Sequence, residues 1–260
     1  MPRWEGAEQA YLTVLAAVPY EPTAREYLGR IYVRWGQFEK ALPYLSPTGG
    51  WSALHYAFCM DALGKRDKAL AIYSQYANGD PAWVGTQWAK LGMEKPTWPR
   101  DLDIPAEAGE MRIRPDSHWH ASATATVIPD APHLTGKPEL AIDDDRETAW
   151  QTSGGDAGQT AGEWFMLEFD TPLAVKRVVL DHYGARSIYT NNWARGISAE
   201  VSPDGATWRK VDVTQAAIFE PSTVRLDRNQ PIKAIRLTTT ATHNSEWWGI
   251  YEVFVFGPAK

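Results

Sequence analysis

The sequence predicts two domains of different class, an N-terminal stack of α-helical hairpins followed by an antiparallel β-sandwich or barrel. Three observations carry this. The 260 residues suffice for two domains of ordinary size, each with its own core. From Ala7 to about Gly92 apolar residues recur at intervals of three and four, the period of a helix. Beyond about Pro115 the chain changes to short runs rich in β-branched and aromatic residues, spaced by Gly, Pro, Asp and Asn, the pattern of a β-domain.

In the first half, breaks at "EP", "RWGQ", "TGGWS", "LGKRD" and "NGDP" divide the helical pattern into pieces joined by tight turns. A spacing then repeats. Arg25, Leu28, Gly29 and Tyr32 are followed by Gly36, Ala41 and Leu45, and Ala57, Met60, Gly64, Ala69, Tyr73, Tyr76 and Pro81 follow the same scheme. Small residues fall where paired helices touch, and a proline closes the unit. On these residues, 1–94 resembles a tetratricopeptide-repeat array, with Pro43 shortening one helix. Ala10, Val14, Ala17 and Pro22 fit only the second helix of a unit, and because repeats are stabilised by their neighbours the chain is expected to be the C-terminal part of something longer. Trp35, Trp51, Trp83 and Trp88 are assigned to packing between helices, and the single cysteine, Cys59, to a buried apolar position.

Residues 95–115 carry several prolines and mixed charge without periodicity and are expected to be a linker. The second domain is expected over 116–260, with strands at "EWFMLEFD", "VKRVVLDHY", "GISAEVS", "ATWRKVDV", "TVRL", "AIRLTTTA" and "IYEVFVFG".

The order "SATAT", "LAIDDDRETAW", "EWFMLEFDTP", "VKRVVLDHYGAR", "GISAEVSPDGATWRKV", "AIRLTTTA", "WWGIYEVFVFG" resembles the discoidin or F5/8 type C family, and within it the galactose-binding-like carbohydrate-binding modules of family 32. The resemblance implies a jelly-roll sandwich with ligand loops at one end and a structural Ca2+ at its side. In that family a D-x-D-x-x-T-x-W turn wraps the ion, here Asp143, Asp145, Thr148 and Trp150, with Glu252 reaching from the last strand and backbone oxygens of Leu140 and Tyr251 completing the shell. Asp144 stands where the family usually has glycine. A solvated acidic turn without metal is the alternative, since adjacent carboxylates repel unless water or a cation screens them.

By the same resemblance two connections share one end of the sandwich. "HYGARSIYTNNWARG" offers His182, Arg186, Tyr189, Asn192 and Trp193, and "THNSEWWG" offers His243, Asn244, Glu246 and Trp247. Aromatic faces pack on sugar C–H groups, while amide, guanidinium and carboxylate groups bind hydroxyls in pairs. Trp193 is the expected platform, and strand alternation allows only one of Trp247 and Trp248 to face outward. Trp150, Trp164 and Trp208 are assigned to the core.

Net charge of −6 excludes a general nucleic-acid binder, which needs a basic surface. No segment is apolar enough to span a bilayer, and no nucleophile–base set or phosphate loop stands out. His118 and His120 alternate as in a strand, a weak metal signal on their own. The expectation is therefore a non-catalytic, calcium-stabilised carbohydrate-binding module for a galactose-like or amino-sugar terminus, joined to repeats that dock a protein or peptide partner or act as a spacer, in an extracytoplasmic setting and as part of a larger carbohydrate-active or envelope protein. The alternative is an interaction module whose discoidin-like domain binds protein or lipid.

Overall fold

A computed structural model of the chain describes residues 3–96, 104–124, 137–146, 148–152, 158–183, 192–218, 220–226, 231–243 and 247–259. They form two compact units, one helical and one built of β-strands.

The helical unit holds α1 (Arg3–Ala17), α2 (Pro22–Arg34), α3 (Phe38–Ala41), α4 (Gly50–Ala62), α5 (Arg66–Tyr76) and α6 (Val84–Glu94). Pro22 occupies the first turn of α2, where its missing N–H costs nothing, and the Glu21 side chain accepts from the backbone N–H of Ala24. The ends of α2 and α4 are built alike. Gly36 and Gly64 sit at φ 69° and 72°, and the residue after each donates back into the helix, Gln37 N to Tyr32 O at 2.9 Å and Lys65 N to Met60 O at 2.8 Å. These two glycines belong to the repeated spacing, and a left-handed helix end explains why the spacing needs them. Pro43 confines α3 to four residues. Leu28, Tyr32, Leu54, Phe58, Tyr73 and Trp88 are fully buried, and the Trp88 ring meets His55 edge-on at 5.0 Å and Phe58 at 5.9 Å. Cys59 lies in this core, where burial pushes its thiol up to about 12, so it stays protonated and unreactive at neutral pH.

The β-unit contains β1 (Glu110–Ile113), β2 (Trp119–Ala123), a 3-10 turn (Pro138–Ala141), β3 (Trp150–Gln151), β4 (Trp164–Ala174), β5 (Arg177–Asp181), β6 (Ile197–Ser202), β7 (Arg209–Val211), β8 (Val213–Thr214), β9 (Ser222–Arg225), β10 (Pro231–Thr239), β11 (Gly249–Ile250) and β12 (Glu252–Pro258). One sheet runs β1-β12-β5-β9-β8, the other β2-β4-β10-β6-β7, and β11 pairs with β3. All pairings are antiparallel. Alternation sends Phe165, Leu167 and Phe169 of β4, Ile235 and Leu237 of β10, and Val253 and Val255 of β12 into one core with Trp150 and Trp248. Trp164 and Trp208 are only half-buried.

The stretch expected to be a linker is in part a third layer. Ile104 packs on Val179, Phe254 and Phe256, the outward residues of β5 and β12, each worth roughly 1.5–3 kcal/mol when buried. Arg177 anchors the layer, donating to Glu110 at 2.7 Å and to the Pro105 carbonyl at 2.8 Å while lying 4.0 Å over the Phe256 ring. Strand β1 then pairs with β12 from Glu110↔Pro258 to Ile113↔Val255. Four residues are too few for alternation to register in the sequence, which is why the segment reads as linker.

Candidate functional site

Strand register defines the two ends of the sandwich. Ile197, where the connection after β5 enters β6, lies opposite Thr239, the last residue of β10, so the connections that follow β5 and β10 meet at one end. Backbone bonds tie the described parts of three loops together there. Gly249 N donates to Asn192 O at 2.7 Å, Gln159 and His243 exchange bonds of 3.0 and 2.9 Å, and Thr152 N donates to Trp248 O at 2.7 Å. The glycine-rich "TSGGDAGQTAGE" is thus joined to the other two. Gln159 is the hub: its side-chain oxygen accepts from Arg195 N at 3.2 Å, it is fully buried, and its Nε2 has no partner among the described residues. Sequence reasoning missed it, and the only signal was one amide in a run of small residues.

Of the sugar-contact candidates, Arg186, Tyr189, Asn244 and Glu246 lie outside the described residues. His243 and Trp247 are half-buried at the loop end, and Trp248 points inward, meeting Trp150 edge-on at 5.0 Å. Three expectations are corrected. Trp193 is not an open platform: it is 5% exposed, with the Arg195 guanidinium 3.7 Å from its ring centroid and Tyr183 at 6.3 Å. Asn192 is buried, its carbonyl serving the loop junction. His182 is a core residue with both ring nitrogens engaged, Nδ1 to Gly249 O at 2.7 Å and Nε2 to Ser222 Oγ at 2.9 Å. A carbonyl only accepts, so Nδ1 carries the proton and Nε2 accepts from the serine. Burial pushes this imidazole down to about 4.

At the side of the sandwich the acidic turn separates into two parts. Asp144 has φ 60°, the one non-glycine residue at positive φ among those described, so aspartate does adopt the backbone for which glycine is usual. Its carboxylate is neutralised by Arg112, at 2.5 Å, and Arg114. Arg146 in turn pairs with the buried Asp181 at 2.7 Å. Asp143 holds the turn from within, its Oδ1 accepting from Asp145 N at 3.0 Å. The Thr148 hydroxyl lies 2.8 Å from Asp143 Oδ2, 2.9 Å from Asp145 O and 3.4 Å from Leu140 O, three acceptors around a group with one hydrogen. Glu252, at the start of β12, is fully buried, and its Oε2 has no partner among the described residues. Burial first, and then the neighbouring Asp143 and Asp144, push its carboxyl up to about 8. Tyr251 N is bonded to Asp181 O at 2.8 Å, which fixes the backbone beside Glu252.

Among the described residues no three His, Cys, Asp or Glu side chains surround a common metal position. Ca2+ shells, however, draw heavily on carbonyl and hydroxyl oxygen beside carboxylates. An all-oxygen set with an unpartnered buried carboxylate oxygen fits a hard divalent cation.

Comparison with known families matches residues 120–254 to the F5/8 type C domain. The chain belongs to the F5/8 type C family. The matched span contains the acidic turn, all three loops and Glu252. Solved structures similar to this F5/8 type C domain include the family 32 carbohydrate-binding module of Clostridium perfringens NanJ in complex with galactose, at 20% identity over 56% of this chain and 98% of that one, TM-score 0.45. Another is a Clostridium perfringens family 32 module in complex with GalNAc-β-1,3-galactose, at 19% identity over 53% and 94%, TM-score 0.44. A third is an F5/8 type C domain from Bacteroides fragilis, at 18% identity over 59% and 100%, TM-score 0.45. No curated protein matches the chain. Among the described residues no helix is long and apolar enough to cross a membrane.

Proposed function

We propose that this protein is a non-catalytic glycan-binding protein whose F5/8 type C domain holds a galactose-like or amino-sugar terminus at the end where the three loops join. The observation that carries this reading is the backbone lacing of those loops, Asn192 to Gly249 and Gln159 to His243, because it gives side chains from separate connections one rigid base. Trp247 supplies the aromatic face, with His243, Arg186, Tyr189, Asn244 and Glu246 as hydroxyl partners. Ca2+ is held by Asp143, Asp145, Thr148 and Glu252 with the carbonyls of Leu140 and Tyr251, so that the turn is fastened to β12; its role is structural. The helical unit is a docking or spacing element for a protein or peptide partner, and the protein works outside the cytoplasm, where millimolar calcium sustains a site of modest affinity.

A glycan array probed with the intact chain in calcium buffer, beside Trp247→Ala and Arg186→Ala variants of unchanged melting temperature, tests the reading. Binding to a defined terminal sugar, lost in both variants, supports it. Silence across the array contradicts the reading and favours a protein or lipid ligand, whereas sugar binding that both variants keep places the site away from these side chains.

A further inference from the structure

Far from the loop end, the structure gathers a second set of ligating side chains. Trp119 of β2, the outermost strand of its sheet, points into the core, so His120 faces outward, and His118, in the turn just before the strand, lies on the same side, both rings reaching Asp170. Asp170 N donates to His118 O at 3.0 Å, and register sets Glu168 opposite His120. Phe165, Leu167 and Phe169 take the inward positions of β4, leaving Glu168 and Asp170 the outer ones. Two histidines and two carboxylates therefore make a two-by-two block, with about 5 Å between facing residues across the strands. Counting along β4, Asp170 is about 20 Å from Trp164 and the sugar loops.

The block is already in partial contact. His118 Nδ1 lies 3.1 Å from Asp170 Oδ2, and His120 Nε2 lies 2.9 Å from Asp170 Oδ1. Both imidazoles thus aim a nitrogen at one carboxylate. The His118, His120 and Asp170 side chains are 70%, 58% and 52% exposed, so no packing holds their present rotamers. A cleft of about 200 Å3 opens beside them, lined by Asp116, His118, Trp119, Phe169 and Asp170, with room for water ligands.

We propose that His118, His120 and Asp170 form a site for a divalent transition-metal ion of the zinc type, with Glu168 within reach as a fourth ligand. Two imidazoles with a carboxylate suit a borderline cation and not calcium, which takes oxygen. As placed, Asp170 sits between the rings as a hydrogen-bond acceptor, and the donors do not yet enclose a common centre. The ion takes the place of the two N–H hydrogens: each ring shifts its proton to the nitrogen facing solvent, the freed lone pairs bind the metal, and Asp170 turns one oxygen inward.

The test is calorimetric titration of the tag-free full chain with Zn2+ in saturating calcium, beside His118→Ala, His120→Ala and Asp170→Asn variants. One Zn2+ per chain is expected, weakened about tenfold or more in each histidine variant, with melting temperatures unchanged because the side chains are exposed. Zn2+ should also shift the ring resonances of His118 and His120 and leave that of His182 in place. Absence of binding overturns the proposal. So does binding that survives in the His118→Ala/His120→Ala double variant, since the ion is then held elsewhere.

Discussion

His182 offers a test of the core at the loop end, because a buried neutral histidine makes stability depend on pH with a calculable size. Its ordinary value is 6.5 and burial lowers it to about 4. Above 6.5 the imidazole is neutral in folded and unfolded chains alike and adds no slope. As pH falls from 6.5 towards 4 the unfolded chain gains a proton that the folded chain cannot, so stability is lost over that interval and levels off below it. Each pH unit is worth about 1.4 kcal/mol, so the interval amounts to about 3 kcal/mol, and about 2.5 kcal/mol of it falls between pH 7.5 and 4.5. Other titrating groups contribute equally to a His182→Gln variant, so the comparison isolates this residue whatever the variant costs at neutral pH. Urea unfolding of the β-unit at both pH values, in saturating calcium, should show the natural chain losing about 2.5 kcal/mol more than the variant. Equal losses, or a His182 ring resonance titrating near 6.5, would refute the assignment of a buried neutral imidazole.

Calcium should raise the melting temperature of the natural chain, by the equivalent of about 2.7 kcal/mol at a hundredfold excess over the dissociation constant. Glu252→Gln should abolish most of that rise, and an undiminished rise in the variant contradicts the ligand set. Trp248→Ala removes a fully buried ring packed on Trp150 and should cost about 3–5 kcal/mol in denaturant unfolding; a loss below about 1.5 kcal/mol, the limit for a tolerated swap, would place that ring outside the core. In the helical unit, Gly64→Ala forces a side chain to φ 72° and should destabilise by about 1 kcal/mol, whereas Gly6→Ala, in α1 with open space around it, should stabilise by about 0.5–1 kcal/mol. Opposite signs in thermal melts check the pair.

Much of this architecture is legible in the sequence because it rests on period and on short-range geometry. The 3.6-residue pattern and the two glycines at helix ends locate α2 and α4, and the D-x-D-x-x-T spacing locates a turn whose strained residue is Asp144. What stays hidden depends on partners distant in the chain. Strand β5 is buried on both faces because Ile104 covers the outer one, so alternation cannot tell which of His182 and Tyr183 turns outward, and both are buried. Trp193 sits among polar residues and reads as exposed, yet Arg195, two positions on, covers its ring. The acidic run likewise looks like one cluster awaiting a cation, but part of its charge is met by Arg112 of β1, a strand too short to be seen by pattern, and by Arg114 just beyond it.

The central claim is that the joined loops hold a sugar, and its most direct test is titration of the isotope-labelled, calcium-loaded chain with galactose and with galactosamine while the backbone amide resonances are followed. The account predicts saturable shifts confined to Gln159, Arg195, His243, Trp247 and the residues between the loop junctions, lost in Trp247→Ala. Shifts centred on another face of the sandwich, or none with either sugar, would contradict it.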